Sequence, residues 1–207
     1  MNIKEAFESR RSINFFDNDK PVSEDTLKAL LDVANYTPSS FNLQPWEVIA
    51  VTSPEKKELL KSLAFNQSKV EEASAVLIII ANPNAVEDNI ERVLKSWIEL
   101  GYMDKATAEK TGQMPFGLYG KPDSPERRSF AIKNAAFFAM SIMLAAKEFG
   151  LDTHPMDGIE SEKIKEAFGI SKEKSVPLIL AVGYLQTGTI LLPRAFRRSI
   201  DEFVTVV

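Results

Sequence analysis

Residues 75–81, with the sequence AVLIIIA, constrain the fold of this chain more than any other stretch. A continuous apolar run of this length, without the alternation of a half-exposed strand, predicts a strand that is buried on both faces. Residues 176–184 (VPLILAVGY) predict a second buried strand, with Pro177 near its start, and residues 46–52 (WEVIAVT) predict a third. Because such strands must be covered, we expect helices packed around a small sheet.

One predicted helix is long and apolar enough to lie at the centre of the domain. Residues 127–149 are apolar nearly all round in their middle part, and Gly150 follows as a C-terminal cap. Shorter helices are predicted at residues 2–9, from Ser23 to a stop at residues 36–38, and from Ser161 to Phe168. Two more are predicted between these, one that starts at Ser53 and a separate one that ends at Gly101. No linker or repeat divides the chain, so residues 1–207 are expected to form a single α+β domain.

Three other stretches give more specific expectations. After Ser53, the side chains of Leu59, Leu60 and Leu63 are expected to form the buried stripe of a helix. Residues 112–123 mix glycine, proline and aromatic residues without a period, which predicts a long loop or lid beside a substrate opening. The C-terminal FVTVV is β-prone but has no strand partner nearby in the sequence, so we expect it to pair with another subunit's sheet.

The composition argues against several functional classes. The net charge of −4 disfavours a nucleic-acid-binding protein, and the absence of cysteine excludes disulfides. His154 is the one histidine, so no metal site is expected; next to Pro155, it is interpreted as a packing or surface residue rather than a catalytic one. The N-terminus lacks an apolar signal segment, and the apolar run 135–146 is too short to cross a bilayer. We therefore expect a cytoplasmic protein that does not associate with a membrane.

The phosphate-binding glycine loops of dinucleotide folds and P-loops are missing from the sequence. If the chain binds a phosphate, side chains must hold it, and arginine is the best choice because its planar guanidinium bonds phosphate in a bidentate manner. Arginines cluster at Arg10-Arg11 and at residues 194–198 (RAFRR). Each cluster alone is equally compatible with a solvated basic patch. The amides and cation of residues 66–69 are likewise compatible with a helix that starts at Asn66.

Residues 38–46, with the sequence PSSFNLQPW, gather hydroxyl, amide and aromatic groups without any charge. Taken with the other motifs in order, this stretch makes the chain resemble the nitroreductase family of FMN-dependent flavoproteins over essentially its whole length. The matching motifs are Arg10-Arg11-Ser12, residues 38–46, Asn66 with Lys69 ahead of residues 73–76, residues 150–152 (GLD), residues 155–158 (PMDG), and an arginine in the tail. The resemblance implies a nitroreductase-like fold with a small, mostly antiparallel sheet, a long buried central helix, and a C-terminal tail exchanged in a homodimer.

The resemblance also implies which residues bind FMN. Arg10 and a tail arginine would hold the phosphate, with Ser12 and Arg11 nearby; Arg197 fits the tail spacing best and Arg194 second. Asn14 stands where some family members carry a basic residue that reaches the flavin. Pro38, Ser39, Ser40 and Asn42 would approach from the partner subunit, and Gln44 leads from them into the first strand.

The remaining motif residues would surround the flavin ring. Lys69 would lie against N1 and O2, where the reduced flavin carries negative charge, and Asn66 would bond the pyrimidine side. Met156 and the backbone of Asp157 and Gly158 would lie near N5. We count Lys69, Asp157 and Gly158 as the candidate catalytic residues. The role of the Asp157 side chain stays open, since this position is commonly Glu or Gly in the family.

The activity that the resemblance implies is a ping-pong oxidoreduction in a homodimer with FMN at its interface. NAD(P)H would give hydride to the flavin, and a nitroaromatic, quinone or similar small acceptor would then be reduced in the same cleft. Two alternatives stay open on the sequence. One is a flavoenzyme of the same fold acting on a different substrate, and the other is a flavin-binding or sequestering protein with little turnover.

Overall fold

A four-stranded antiparallel sheet forms the centre of the computed structural model, which describes residues 2–207. Strands β1 (Trp46–Val51), β2 (Ala75–Ala81), β3 (Asp152–Met156) and β4 (Ser175–Gly183) lie in the order β1-β2-β4-β3, and each neighbouring pair is antiparallel. All seven residues of the central strand β2 are buried, as its unbroken apolar run predicts.

Eight α-helices and two short 3₁₀ turns accompany the sheet within residues 2–207. The helices are α1 (Ile3–Ser9), α2 (Glu24–Ala34), α3 (Pro54–Ser62), α4 (Lys69–Glu72), α5 (Ala85–Glu99), α6 (Lys105–Tyr119), α7 (Pro125–Glu148) and α8 (Ser161–Ala167). The predicted caps are present: the Ser23 and Ser53 hydroxyls accept from backbone N–H groups three residues later. Gly150 follows α7 with φ 66°, a left-handed conformation that glycine adopts without steric cost.

The two faces of the sheet support two hydrophobic cores. Leu77 and Ile79 point to one face of β2, where α7 covers them and α2 packs on α7, while Ile78 and Ile80 point to the other face. Successive strand residues face opposite sides, so β2 contributes to both cores at once. This arrangement accounts for the absence of polar residues in AVLIIIA.

Helix α7 is the long central helix that the sequence predicts. It packs against α1, α2 and α6 and against all four strands, and Phe138 stacks on Trp46 with ring centroids 4.8 Å apart. By length and composition alone α7 could also cross a membrane, the one such helix in the described part of the chain. In this fold its apolar residues instead form the core that covers the sheet.

The prediction of a loop or lid at residues 112–123 is wrong. Most of that stretch belongs to α6, which begins after Asp104, whose carboxylate accepts from the Thr107 N–H at 2.7 Å. Gly112 is not a helix breaker here: a Cβ at this position would lie 2.7 Å from Leu94 Cδ1, so glycine allows α6 to pack closely on α5. Pro115 lies within the same helix and is buried.

One other local expectation fails, and one alternative that the sequence leaves open is decided by the structure. Only Leu60 of the expected leucine stripe is fully buried, whereas Leu59 is 37% exposed, so the apolar stripe of α3 is narrower than its sequence predicts. Asn66 does not cap a helix; it has φ 57°, and α4 begins at Lys69. The C-terminal residues after the 3₁₀ turn Ile200–Glu202 form no strand within the chain, and their pairing with another subunit's sheet stays a prediction.

Strand β3, with the sequence DTHPM, has no sequence-based prediction to match it. It is an edge strand, which tolerates Pro155 because only one side of an edge strand pairs with a neighbour. Its free edge is where the candidate site lies.

Candidate functional site

The arginine-serine motif that follows α1 runs along the free edge of β3. Ser12 forms an isolated parallel bridge with Thr153, and the Ile13 N–H donates to the Thr153 carbonyl at 3.3 Å. The Arg10 guanidinium donates to the Ser12 hydroxyl at 3.3 Å. Arg10 and Ser12 therefore meet beside β3, and the PMDG motif begins at the C-terminal end of that strand.

The C-terminal tail returns to the same place. The Arg194 guanidinium donates to the carbonyls of Phe7 (3.1 Å) and Arg10 (3.0 Å), and also to that of Glu8. These carbonyls lie at the C-terminal end of α1, where unpaired backbone oxygens carry partial negative charge. Arg11 in turn donates to the Leu192 carbonyl at 2.9 Å. The base of the tail is thus fastened to α1 of its own chain.

These contacts create a concentrated positive charge. Burial lowers the pKa of Arg10 below its usual value, and the charges of Arg194, Arg197 and Arg11 lower it further, while Asp152 opposes them. The Asp152 carboxylate is itself bonded to Lys147 at 2.7 Å, so its single negative charge is shared between that lysine and the cluster. Four neighbouring guanidinium groups in such a setting form a site suited to a multiply charged anion.

A second group of polar residues meets at the other end of β3. The Lys69 ammonium donates to the Gln67 amide oxygen at 3.4 Å, and the Gln67 amide nitrogen donates to the Gly158 carbonyl at 3.0 Å. Phe65 and Asn66 precede them in the left-handed region, with φ 52° and 57°. Gln67 is absent from the sequence-based set of candidate residues. The signal was present in the cluster of amides at residues 66–69, but the motif pattern does not single out this position.

His154 lies between these two groups. Its Nδ1 is 2.6 Å from the Ile13 carbonyl oxygen, and its ring is half-buried. Burial is the main cause that lowers the pKa of His154; the Ile13 carbonyl opposes it, and the positive charges of Lys69 and Arg10 add to the lowering. Ser12 pairs with Thr153 on one side of His154, and Gln67 bonds Gly158 just beyond the C-terminal end of β3, so the two groups lie beside the same strand. We refer to the residues from Arg10 through His154 to Lys69 and Gly158 as the β3 strip.

Residues 38–44 lie elsewhere in the chain, docked on α7. The Ser40 N–H donates to the Asn134 side chain at 3.2 Å, and Asn134 is buried, its amide donating to the Phe130 carbonyl at 2.7 Å. The Ser39 hydroxyl accepts from the Gln44 N–H at 2.9 Å. Within residues 2–207, no hydrogen bond or ion pair joins this segment to the β3 strip.

The backbone of the same segment is strained. Phe41, Asn42 and Gln44 have φ values of 52°, 53° and 47°, in a region that side-chain-bearing residues rarely occupy. Three such residues in four positions cost free energy and persist only where the surrounding structure enforces them. The Gln44 amide supports the turn by donating to the Asn42 carbonyl at 3.1 Å, and Phe41 packs edge-on against Tyr119 of α6. Such strain is typical of functional segments.

The other candidate residues occupy less defined positions. Met156 is buried at the end of β3, whereas Asn14 and Asp157 are exposed. The Asp157 carbonyl accepts from the Ile159 N–H at 2.8 Å. Arg197 donates to the Ala195 and Phe196 carbonyls, close to its own place in the tail.

Comparison with known proteins agrees with this architecture. The sequence model of the Nitroreductase family matches residues 7–184. YdgI of Bacillus subtilis, provisionally named an NAD(P)H nitroreductase, is 34% identical over 85% of this chain and 84% of its own length. The crystal structure of ydfN from the same organism, a provisionally named nitroreductase, has a TM-score of 0.92 at 29% identity and covers 99% of this chain and 98% of that one.

A third similar protein was solved with a ligand. The structure of a provisionally named nitroreductase from Exiguobacterium sibiricum in complex with FMN has a TM-score of 0.86 and 29% identity, and covers 99% of this chain and 97% of that one. The family match spans every element from the end of α1 to β4, including both ends of the β3 strip before the tail. The chain is therefore a member of the nitroreductase family of oxidoreductases.

Proposed function

We propose that this protein is an FMN-dependent oxidoreductase that takes reducing equivalents from NAD(P)H and reduces nitroaromatic, quinone or similar small acceptors. The observation that carries the proposal is the β3 strip, which has a cluster of arginines at one end and a lysine with amide groups at the other. FMN has a matching distribution, with a doubly charged phosphate at one end and a flat ring with polar edges at the other.

At the phosphate end, the contacts suggest different roles for the two tail arginines. The Arg194 guanidinium is bonded to carbonyls at the C-terminal end of α1. It would therefore position the tail and contribute positive charge without bonding the phosphate directly. Arg197 bonds only carbonyls next to it in sequence, and its charge acts on Arg10. We therefore assign phosphate binding to Arg10, Ser12 and Arg197, with Arg11 fixing the tail through Leu192.

At the ring end, Lys69 would bind the pyrimidine edge and stabilise negative charge there. Asn66, Met156 and the backbone of Asp157 and Gly158 would surround the same ring, while Gln67 holds Lys69 and Gly158 together. When bound, FMN would supply the redox chemistry, hydride transfer between NAD(P)H and the acceptor in ping-pong order. The residues of the chain bind and orient the cofactor and tune its charge.

The site requires a second copy of the chain in this proposal. An open groove of about 490 Å³ lies between α1, the end of α2 and α7, where Ile3 is 68% and Tyr36 90% exposed. An exposed apolar surface of this kind fits a subunit interface. The groove includes Pro38, which begins the strained segment, so an isologous dimer at this face would bring residues 38–42 to the partner's β3 strip.

The C-terminal tail would complete the same interface. Its base is fastened to α1 by Arg194, but Ile200, Phe203 and Val206 are 65%, 56% and 91% exposed. These side chains would gain cover by lying on the partner, which is the tail exchange expected from the resemblance. A cytoplasmic location belongs to the same proposal, because NAD(P)H is available there as the reductant.

The test begins with purified protein as it is expressed. We expect a yellow protein that releases FMN on denaturation, loses its flavin absorbance with NADH or NADPH under anaerobic conditions, and regains it when a quinone or nitroaromatic is added. Initial rates at several fixed acceptor concentrations should give parallel double-reciprocal lines. Flavin that stays oxidised with both nucleotides would favour the sequestering alternative, and a colourless protein that does not bind added FMN would contradict the proposal.

A further inference from the structure

His154 has no role in the proposed function so far, yet it occupies the middle of the β3 strip. Side chains alternate along a strand, so Asp152, His154 and Met156 share one face of β3. Arg10 and Lys69 lie close enough to this imidazole for the charge of each to act on it. Met156 is buried in the core on this face, so Asp152 and His154, both partly exposed, are the side chains of the face that a molecule lying along β3 would contact.

We infer that His154 binds the ribityl chain of FMN, with its Nε2 accepting a hydrogen bond from a ribityl hydroxyl. The inference rests on the proposed function, because it takes FMN as the molecule that lies along the β3 strip. It assigns a positioning role to a residue that the sequence alone favours as a packing residue.

The protonation pattern of the imidazole follows from its one fixed contact. The Ile13 carbonyl oxygen is an acceptor only, so the short contact at 2.6 Å requires a hydrogen on Nδ1. A neutral imidazole with hydrogen on Nδ1 has a lone pair on Nε2. Burial and the neighbouring cations favour the neutral ring at neutral pH. His154 therefore offers an acceptor at Nε2.

An uncharged acceptor complements the cations in this part of the strip. Arg10 and Lys69 are donors only, and one oxygen of the Asp152 carboxylate, Oδ1, is bonded to Lys147. A polyhydroxylated chain brings hydroxyl hydrogens that need acceptors when they leave water. A neutral imidazole meets this need without adding negative charge beside the phosphate site.

Three flavins separate this role from simple packing: FMN, riboflavin, which lacks the phosphate, and lumiflavin, which lacks the ribityl chain as well. Protein freed of flavin would be titrated with each, for wild type, His154→Leu and His154→Gln. The leucine variant should bind FMN and riboflavin about threefold to tenfold more weakly, as for loss of one hydrogen bond, and lumiflavin with unchanged affinity. The glutamine variant, whose amide oxygen can replace Nε2 as acceptor, should retain most of the preference for riboflavin over lumiflavin.

Nuclear magnetic resonance gives a second readout that is independent of activity. His154 is the only histidine in the chain, so protein without a histidine tag has a single imidazole to observe. Its ¹⁵N shifts should show the Nδ1–H form, and its Nε2 signal should move on addition of riboflavin but hardly on addition of lumiflavin. Equal weakening of all three flavins in His154→Leu would overturn the inference and leave a packing role. Wild-type protein that binds no flavin would overturn the proposed function itself.

Discussion

Arg194 donates from its guanidinium to the backbone carbonyl of Arg10 at 3.0 Å, joining the two ends of the chain across 184 positions of sequence. The contact places Arg194 beside Arg10, the first residue of the Arg10-Arg11-Ser12 motif. It also separates the roles of the tail arginines, because Arg194 is occupied by α1 while Arg197 is not.

The first prediction concerns these arginines. Arg10→Ala and Arg197→Ala should each weaken FMN binding about tenfold to a hundredfold, since a charge-assisted hydrogen bond contributes roughly 1.5–3 kcal/mol. Arg198→Ala is the matched control, because Arg198 lies over the Phe203 ring and is not among the charges that act on Arg10. Dissociation constants from fluorescence titration decide the assignment. Normal binding by the Arg197 variant with a large loss in Arg194→Ala would reverse the two roles.

The second prediction concerns redox tuning by Lys69. Lys69→Met should leave FMN bound but lower its two-electron midpoint potential by about 30–60 mV, equivalent to roughly 1.4–3 kcal/mol, because the reduced ring loses a nearby cation. Lys61→Met removes a lysine paired with Glu71 and should leave the potential unchanged. Spectroelectrochemical titration measures both. A potential that is unchanged or higher in the Lys69 variant would place this lysine away from the ring.

The third prediction concerns a buried arginine that ties three helices together. Arg127 is fully buried and donates to the carbonyls of Pro83 (3.0 Å) and Gly120 (2.5 Å) and to the Glu87 carboxylate (2.6 Å). Arg127→Leu should reduce the free energy of unfolding by about 2–4 kcal/mol, because it leaves these acceptors without a donor.

The neighbouring residue provides the control for that variant. Arg128→Leu makes the same chemical change at an exposed position one residue further along α7 and should change stability by less than about 0.5 kcal/mol. Urea denaturation of both variants gives the comparison. Similar stabilities would mean that the Arg127 contacts contribute little net stability to the junction of α5, α6 and α7.

How far the fold could be predicted depends on whether the determining contacts are local. The strand β2 and the helix α7 follow from runs of apolar residues that are complete within themselves. The sequence predicts a loop where α6 lies because Gly112 and Pro115 disfavour helix in isolation, and Leu94, on which Gly112 packs closely, lies 18 positions earlier. Strand β3 was missed because only its pairing with β4 defines it.

The candidate site shows the same division. The motif residues could be named from the sequence because they follow the order of motifs in the nitroreductase family. The positions of Gln67 and His154 could not, since one is defined by a contact with Gly158 and the other by a contact with Ile13. The choice between the tail arginines likewise required the contacts of Arg194 with α1.

The fourth prediction concerns pH and His154. Its pKa is lowered in the folded protein, by burial first and then by Lys69 and Arg10, while the Ile13 carbonyl acts in the opposite direction. The unfolded chain therefore takes up a proton at higher pH than the folded one. This contribution to stability is complete above the unfolded pKa of about 6.5 and is lost as the pH falls through the lower folded value.

The test compares wild type with His154→Gln between pH 8 and pH 5 by urea denaturation. The difference in unfolding free energy between the two proteins should be constant in the upper part of this range and should shift against the wild type below about pH 6.5. A difference that stays the same throughout would show that His154 titrates as it does in the unfolded chain.

The proposed sharing of the flavin site between two chains is tested most directly by placing its two halves on different chains. In one mixed dimer, the first chain carries Arg10→Glu with Lys69→Met and the second carries Ser39→Leu with Ser40→Leu. In the other mixed dimer, one chain carries all four substitutions and its partner is wild type. The two dimers contain the same substitutions and differ only in how the substitutions are distributed.

The measurement is the amount of FMN bound per purified dimer, with the two chains selected by different affinity tags. If residues 38–42 of one chain complete the β3 strip of the other, the first dimer has one intact site and binds about one FMN, while the second has none. If each site lies within one chain, the order reverses: the first dimer binds no FMN and the second binds one. That reversal, or an active monomer, would contradict a flavin site built from two chains.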